Sequence, residues 1–412
     1  MVRTSYVELD YKPDGGDLLT VFYVEPAEGN TLEHACEQIA SESSIGTWTD
    51  VCTTKPEIME TLGPTVYEID KDSGLVKIAY PHELFESGNM PQIFSSIAGN
   101  IFGMKAVANL RLMDIVYPKE IVDSFKGPKY GIRGIRKILK VKERPLLGTI
   151  VKPKLGLGCS DHARVAYNSW VGGCDIVKDD ENLSNQKFNP FGERIIKTLK
   201  LRDKAENETG EKKIYMPNVT AETEEMISRA EFVKENGGEY VMVDVVTAGF
   251  AGLQSLIDQD LDLVIHAHRA MHAAFTRNTK HGITMLAYAK SLRLVGVDQL
   301  HIGTAVGKME GPAEEVIKIR DAMTQDQYNI KTTFPVCSGG LHPGMIQKLI
   351  QILGKDIIIQ MGGGIHGHPE GTTQGAIAAR QAIDATTKGI SLEEYSEDHE
   401  ELKEALDKWG TV

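Results

Sequence analysis

The stretch GGCDIVKDDE at 172–181 decides how this chain is read. Its apolar residues Ile176 and Val177 run straight into one amine, Lys178, and three carboxylates, Asp179, Asp180 and Glu181. Side chains alternate across a strand. A strand that persists to its end therefore puts Lys178 and Asp180 on one face and turns Asp179 away, while Glu181 falls where the strand gives way to a loop. Three carboxylates around a lysine can form a hard oxygen site for Mg²⁺. They can equally be a solvated surface cluster, and the neighbouring segments bear on which reading holds.

Similar short apolar runs recur at 148–152, 175–180, 214–219, 240–246, 263–268, 299–303, 334–338 and 357–361, separated by stretches such as 221–235 and 282–294 with helical periodicity. Eight strand–helix repeats over about 250 residues match the size of a (β/α)8 TIM barrel. A doubly wound open sheet is the weaker alternative, because no GxGxxG fingerprint follows an early strand. The reading is therefore α/β: a C-terminal barrel over 139–412, preceded by a smaller α+β N-terminal domain over 1–138. In that first domain 21–24 reads as a strand, 66–69 and 75–79 as a hairpin, and 31–41 as a helix with Thr31 as N-cap. A further helix over 91–98 has Pro91 at its start and Gly99 just past its end. The basic, polar segment 126–144 reads as the connector.

A barrel places its chemistry at the C-terminal ends of its strands. Strand one ends in Lys152 and Lys154, strand two in Lys178 to Glu181, and strand five in His266, His268 and Arg269. Strand six carries His301 and leads into a Gly-rich loop with Lys308. Strand seven ends in Ser338, Gly339 and Gly340, and strand eight in Gly362, Gly363 and Gly364. Six of eight strand ends loaded in this way favour a catalytic face over chance.

Bulk properties narrow the function. The 412 residues, 41% of them hydrophobic, can bury a full core, and the net charge of −13 argues against nucleic acid as a main partner. No apolar run approaches the ~20 residues that span a membrane, and the N-terminus lacks a signal-peptide pattern. The five cysteines, odd in number and without CxxC pairs, read as reduced thiols in a cytoplasmic protein. In that setting the Asn-x-Ser/Thr matches at Asn182, Asn207 and Asn218 are chance.

The constellations carry distinct chemistries. Glycine clusters let backbone N–H groups approach phosphate, or they are simple tight turns. His301, Arg269 and Ser338 could form a second anion site, which suits a substrate with a phosphate at each end. Lys152 and Lys154, two apart, would depress each other's pKa and offer an acid/base catalyst, or they attract an anion. A neutral Lys178 amine can react with CO₂ to give a carbamate, an anionic oxygen ligand inside a carboxylate site. His266 and His268 lack a clear third ligand for zinc, since His272 lies beyond the strand end; a general base is the stronger reading. His281, His342, His366 and His368 are assigned no role, with surface or loop placement the default. The loop GTAVGKMEG at 303–311 reads as a lid that closes Lys308 over substrate.

Together SESSIGTWT at 41–49, GNIFG at 99–103, KPKLGL at 152–157, the 172–181 run, HAHRAMH at 266–272, the 303–311 loop, SGG at 338–340 and GGG at 362–364 resemble the large chain of ribulose-1,5-bisphosphate carboxylase/oxygenase (RuBisCO). The resemblance covers nearly the whole chain, in family order. Without the longer plant-type terminal segments, it is most similar to the archaeal-type form III.

The resemblance implies Mg²⁺-dependent carboxylation and cleavage of D-ribulose 1,5-bisphosphate to two 3-phosphoglycerates, with O₂ competing with CO₂ for an enediolate. It implies that activator CO₂ carbamylates Lys178, that the carbamate, Asp180 and Glu181 bind Mg²⁺, and that the carbamate takes the C3 proton. Lys308 would stabilise the new carboxylate, His268 assist hydration, Lys152 protonate the product carbanion, and Lys154 support these groups. Thr47, Trp48, Gly340, Gly362 and Gly363 would hold one phosphate; Arg269 and His301 the other, with Ser338 nearby. Glu42, Thr47, Trp48 and Asn100 would complete the site of a neighbouring subunit in a head-to-tail homodimer that could assemble further. Ile150 stands where plant-type chains have a substrate-contacting threonine, which touches fine positioning rather than the reaction. A RuBisCO-like enolase or isomerase acting on a related sugar phosphate is the alternative.

Overall fold

The computed structural model describes residues 5–47, 49, 51–306 and 313–412. The chain divides into two compact units: Met1–Gly127 with Met271–Val295 and Gln327–Ile330, and Pro128–Ala270 with Gly296–Asp326 and Lys331–Val412. Its first strands are β1 (Asp17–Pro26), β2 (Thr65–Asp70), β3 (Leu75–Pro81) and β4 (Val107–Val116). Then come β5 (Leu146–Ile150), β6 (Ile176–Lys178), β7 (Ile214–Met216), β8 (Tyr240–Asp244) and β9 (Val264–His268). The last are β10 (Gly282–Ile283), β11 (Gln299–Gly303), β12 (Phe334–Ser338) and β13 (Ile358–Gln360).

In the first unit β1 to β4 and β10 make one mixed sheet in the order β10-β4-β1-β3-β2. The β2–β3 pairing is the expected hairpin, antiparallel from Thr65 opposite Ala79 to Asp70 opposite Leu75. Leu18, Thr20, Phe22 and Val24 alternate along β1 and are buried, so one face of the strand makes core. Thr31 caps the helix Leu32–Glu42 by accepting from His34 N at 3.2 Å. Asn89 caps Met90–Ile97 through Gln92 N at 3.0 Å, with Pro91 in the first turn. The stretch 282–294 is not helical throughout. Gly282 and Ile283 pair in parallel with Arg111 and Leu112 of β4, and the helix Met285–Val295 begins after them. Thr284 Oγ1 donates to Met113 O at 2.6 Å, and Tyr117 and Ser291 share a buried hydroxyl contact of 2.7 Å.

The second unit is the barrel. Its eight parallel strands run β7-β6-β5-β13-β12-β11-β9-β8. A parallel bridge between Asn218 and Met242 joins the two ends. Met242 N donates to Pro217 O at 2.8 Å, and Val219 N to Met242 O at 3.0 Å. All eight strands coincide with the apolar runs of the sequence.

The segment read as a connector does more than connect. Gly131–Leu139 is a helix whose Ile132, Ile135 and Leu139 are buried against Leu146, Ile176, Ile214, Tyr240, Val264, Phe334 and Ile358. These belong to the N-terminal halves of the strands, so the helix plugs the barrel floor. Asp298, just before β11, fixes the start of this helix by accepting from Tyr130 N (2.6 Å) and Gly131 N (3.1 Å), and it also accepts from Ile265 N (3.1 Å). No helix among the described residues is long and apolar enough to cross a membrane, and the five cysteines are free.

Candidate active site

Strand alternation sorts the acidic run as expected. Asp179 turns away from the barrel axis into a fully buried cluster. Arg194 Nε donates to it at 3.1 Å, Tyr215 Oη at 2.6 Å and Asn218 N at 3.1 Å, while His162 Nε2 lies 3.1 Å away. Burial alone would raise its carboxyl, but Arg194 and His162 outweigh that and hold it at about 2.

Lys178 and Asp180 face the other way. The Lys178 side chain is 1% exposed. Its Nζ donates to Asp179 O at 2.9 Å, contacts Met242 Sδ at 3.4 Å, and lies 4.0 Å from Glu181 Oε2. Burial pulls this amine's pKa down, because a desolvated ammonium is disfavoured. Burial would raise Glu181, yet Lys178, a backbone hydrogen bond, His268 and Lys154 together bring it down.

Lys152 and Lys154 each meet a carboxylate rather than each other. Lys152 Nζ donates to Asp180 Oδ2 at 2.6 Å, and Lys154 Nζ to Glu181 Oε1 at 3.3 Å. Asp180 and Glu181 raise Lys154 rather than lower it. The lysines are thus split between two carboxylates, because the acidic neighbours are closer partners than the second amine.

The histidines form a relay. His268 Nδ1 meets Asp244 Oδ1 at 2.8 Å, and its Nε2 lies 3.8 Å from Glu181 Oε2. Burial lowers the His268 imidazole, with Asp244 opposing. His301 Nε2 stands 2.9 Å from His266 Nε2, and Ser338 Oγ stands 3.2 Å from His301 Nδ1. Burial holds both His266 and His301 well below the ordinary imidazole value. Arg269 follows β9, and burial brings its guanidinium down to about 10, still a cation at neutral pH. A Cβ on Gly303 would come within 2.8 Å of Arg269 Nη2, and φ there is +97°. Only glycine fits under that guanidinium. A Cβ on Gly362 would lie 3.0 Å from Lys152 Cε, so the glycine leaves room for that side chain. Gly340 lies in the loop after β12, and Gly363 beside Gly362 in the loop after β13.

In the first unit Asn100 Nδ2 approaches Glu42 Oε1 at 3.5 Å, and Thr47 is exposed. Trp48 and Lys308 lie outside the described residues.

Two strand ends that the sequence left empty are also loaded. Asp244 ends β8 and orients His268. Asn218 follows β7 and donates through Nδ2 to Glu181 O at 3.1 Å and Asp244 Oδ2 at 3.4 Å. The available signal was the one used elsewhere, a polar residue closing an apolar run. His366 and His368 also depart from surface placement. His366 Nε2 reaches Ile150 O at 2.9 Å and Nδ1 reaches Thr372 Oγ1 at 3.1 Å, while the buried His368 meets Glu401 O at 2.9 Å. His366 thereby ties the strand-eight glycine loop to the strand that delivers Lys152.

A closed barrel with lysines, carboxylates and imidazoles gathered at the C-terminal ends of its strands has the architecture of a barrel enzyme. Residues 131–409 match the catalytic domain of the ribulose bisphosphate carboxylase large chain, and residues 5–121 match its N-terminal domain. The ribulose bisphosphate carboxylase of Methanocaldococcus jannaschii is 55% identical, over 98% of this chain and 100% of its own. The octameric ribulose-1,5-bisphosphate carboxylase/oxygenase of Pyrococcus horikoshii OT3, solved with sulfate ion, superposes with a TM-score of 0.95 at 49% identity over 98% of this chain and 96% of its own. The dimeric archaeal Rubisco of Hyperthermus butylicus gives 0.93 at 46% identity, over 99% of each chain. The chain belongs to the ribulose bisphosphate carboxylase large-chain family. It fits the archaeal form III type, and the enolase or isomerase alternative is not favoured.

Proposed function

We infer that this chain, a ribulose bisphosphate carboxylase, fixes CO₂ on ribulose 1,5-bisphosphate by way of a carbamylated Lys178. One observation carries the reading: a buried amine, biased toward its neutral form, sits beside two converging carboxylates at the barrel mouth. A neutral amine attacks CO₂, forming an N–C bond as one C=O π bond opens onto oxygen and releasing one proton, and the uncharged side chain becomes an anionic oxygen donor. Among the described residues no three carboxylate, thiol or imidazole groups stand together as a metal site. The carbamate would supply the third oxygen donor, and the set Lys178 carbamate, Asp180 and Glu181 then fits Mg²⁺ by ligand type. Mg²⁺ held there would act as a Lewis acid toward substrate oxygens.

The residues divide the remaining work. A carbamate on Lys178 would stand ready to take the proton from C3 of the substrate, after which CO₂ would add at C2 in competition with O₂. His268, held by Asp244, serves as the base for hydration of the new ketone. Lys152, partly exposed at the mouth beside Asp180, protonates the product carbanion, and Lys154 holds Glu181. Arg269, His301 and Ser338 take one phosphate; Gly340, Gly362 and Gly363 offer backbone N–H groups to the other, with Thr47 and Trp48 joining them. Lys308 closes over the carboxylate. Glu42, Thr47, Trp48 and Asn100 would act from a neighbouring subunit in a head-to-tail homodimer. Dimeric and octameric relatives support an oligomer of this kind.

Labelled CO₂ and ribulose bisphosphate supplied with Mg²⁺ should yield labelled 3-phosphoglycerate, and Lys178→Ala should yield none. Turnover retained in that variant would refute the carbamate mechanism.

A further inference from the structure

Behind His301 the relay runs on into the barrel. Gln299 is fully buried at the start of β11, and its Oε1 lies 2.8 Å from His266 Nδ1. Three contacts thus link Gln299, His266, His301 and Ser338 in one line. Both imidazoles are buried and neutral, so each carries one proton. That restriction makes the chain directional.

With Oε1 on His266, Nδ1 of His266 must hold the proton, and its Nε2 can only accept. His301 then donates from Nε2, and its Nδ1 can only accept from the Ser338 hydroxyl. The mouth is left with serine lone pairs, which repel an anion. Turning the Gln299 amide over reverses every link, since its two ends exchange donor and acceptor at almost unchanged shape. Nε2 donates to His266, His266 donates to His301, and His301 Nδ1–H points outward. Ser338 is then free to donate as well.

The burial of the amide favours the second arrangement. With Oε1 on His266, Gln299 Nε2 is buried without a partner. In the reversed orientation the unpaired atom is a carbonyl-type oxygen, and orphaned acceptors are better tolerated than orphaned N–H groups.

We propose that Gln299 is a positioning residue whose amide orientation sets the tautomers of His266 and His301, and thereby turns the His301–Ser338 end of the relay into a neutral hydrogen-bond donor for an anionic group of the substrate. This rests on reading His301 and Ser338 as an anion subsite. A glutamine suits the task because it can donate or accept without changing the charge of the relay. A carboxylate at 299 only accepts when ionised. His301 Nδ1 could then donate only if the imidazole pair took up an extra proton. The charged and titratable groups facing the pair are Lys178 from β6, and His268 and Arg269 from β9 and its end.

The test compares wild type, Gln299→Glu and Gln299→Met over a range from about pH 7 to about pH 9. Sulfate binding is followed by calorimetry, since the charge of sulfate is constant there, and KM for ribulose bisphosphate is measured alongside. In Gln299→Glu, sulfate affinity should fall about tenfold for each pH unit above the titration of the pair, with KM rising in step. Wild type and Gln299→Met should lack this extra slope, because neither side chain carries the charge that ties outward donation by His301 to uptake of an extra proton. Parallel profiles for Gln299→Glu and wild type overturn the proposal, whatever their absolute affinities. Should wild type fail to turn over ribulose bisphosphate while Gln299→Glu still shows the slope, the substrate assignment falls and the relay stands.

Discussion

The floor and the mouth of the barrel are built on the same strands and obey opposite rules. At the floor every inward residue of the cluster under the helix Gly131–Leu139 is apolar or aromatic, and nearby charges are fully engaged. Asp175 receives both Arg144 Nη1 and Nη2 at 2.7 Å and Leu147 N at 2.8 Å. At the mouth, further along the same strands, the inward groups include amines, carboxylates and imidazoles, several of them held off their ordinary protonation. Asp179 and Asp180 show the divide at its sharpest. One is locked into Arg194, Tyr215 and His162 on the helix side; the other meets the partly exposed Lys152 at the mouth. The lesson is that the barrel separates stability from chemistry by depth and by facing, even between adjacent residues.

That separation can be broken experimentally. Lys178→Ala should cost carboxylation at least about 10⁴-fold, more than 5 kcal/mol of transition-state stabilisation, while a cooperative thermal melt persists. Arg194→Met should act the other way round. It strands the Asp179 charge, and removing one partner of a buried pair costs about 3–5 kcal/mol. Urea unfolding should register that loss, with specific activity preserved in the fraction that remains folded.

His366 sharpens the comparison by its pH response. Burial holds its imidazole at about 4, against about 6.5 in an unfolded chain. As pH falls the unfolded state takes up the proton first, so stability is intact above about 6.5 and declines toward 4, by up to about 3 kcal/mol. His366→Gln should flatten that part of the stability–pH curve relative to wild type. Asp244→Asn should have the smallest effect. His268 keeps a hydrogen-bond partner but loses the charge that orients and supports it, and kcat should drop about 10- to 100-fold with KM little moved.

Much of this was legible in the sequence. The eight barrel strands were visible because a fully buried parallel strand is a short apolar run wherever it occurs, and the facing of Lys178, Asp179 and Asp180 followed from the two-residue period of a strand. The plug helix was there too, as Ile132, Ile135 and Leu139 on one side of a helix. Arg133, Arg136 and Lys137 on its other side made the segment read as a polar connector. Other features depended on partners far along the chain. Gly282 and Ile283 are a strand only because β4 lies beside them, and His366 is anchored by Ile150, more than two hundred residues earlier. Lys152 and Lys154 were read against each other because they are neighbours in sequence, while their stronger partners sit on the adjacent strand. Asp244 was missed because its strand end carried no second functional residue to draw notice.

The seam of the barrel has a consequence for how the protein matures. The strands β7 and β8 meet through the bridge at Asn218 and Met242, and Asn218 also donates to Asp179, Glu181 and Asp244. The residue at that joint is therefore also the one that ties the Glu181 backbone and the Asp244 carboxylate at the barrel mouth to Asp179 on the outer face. A chain caught with that joint unfastened would keep most of its secondary structure and lose its catalytic centre.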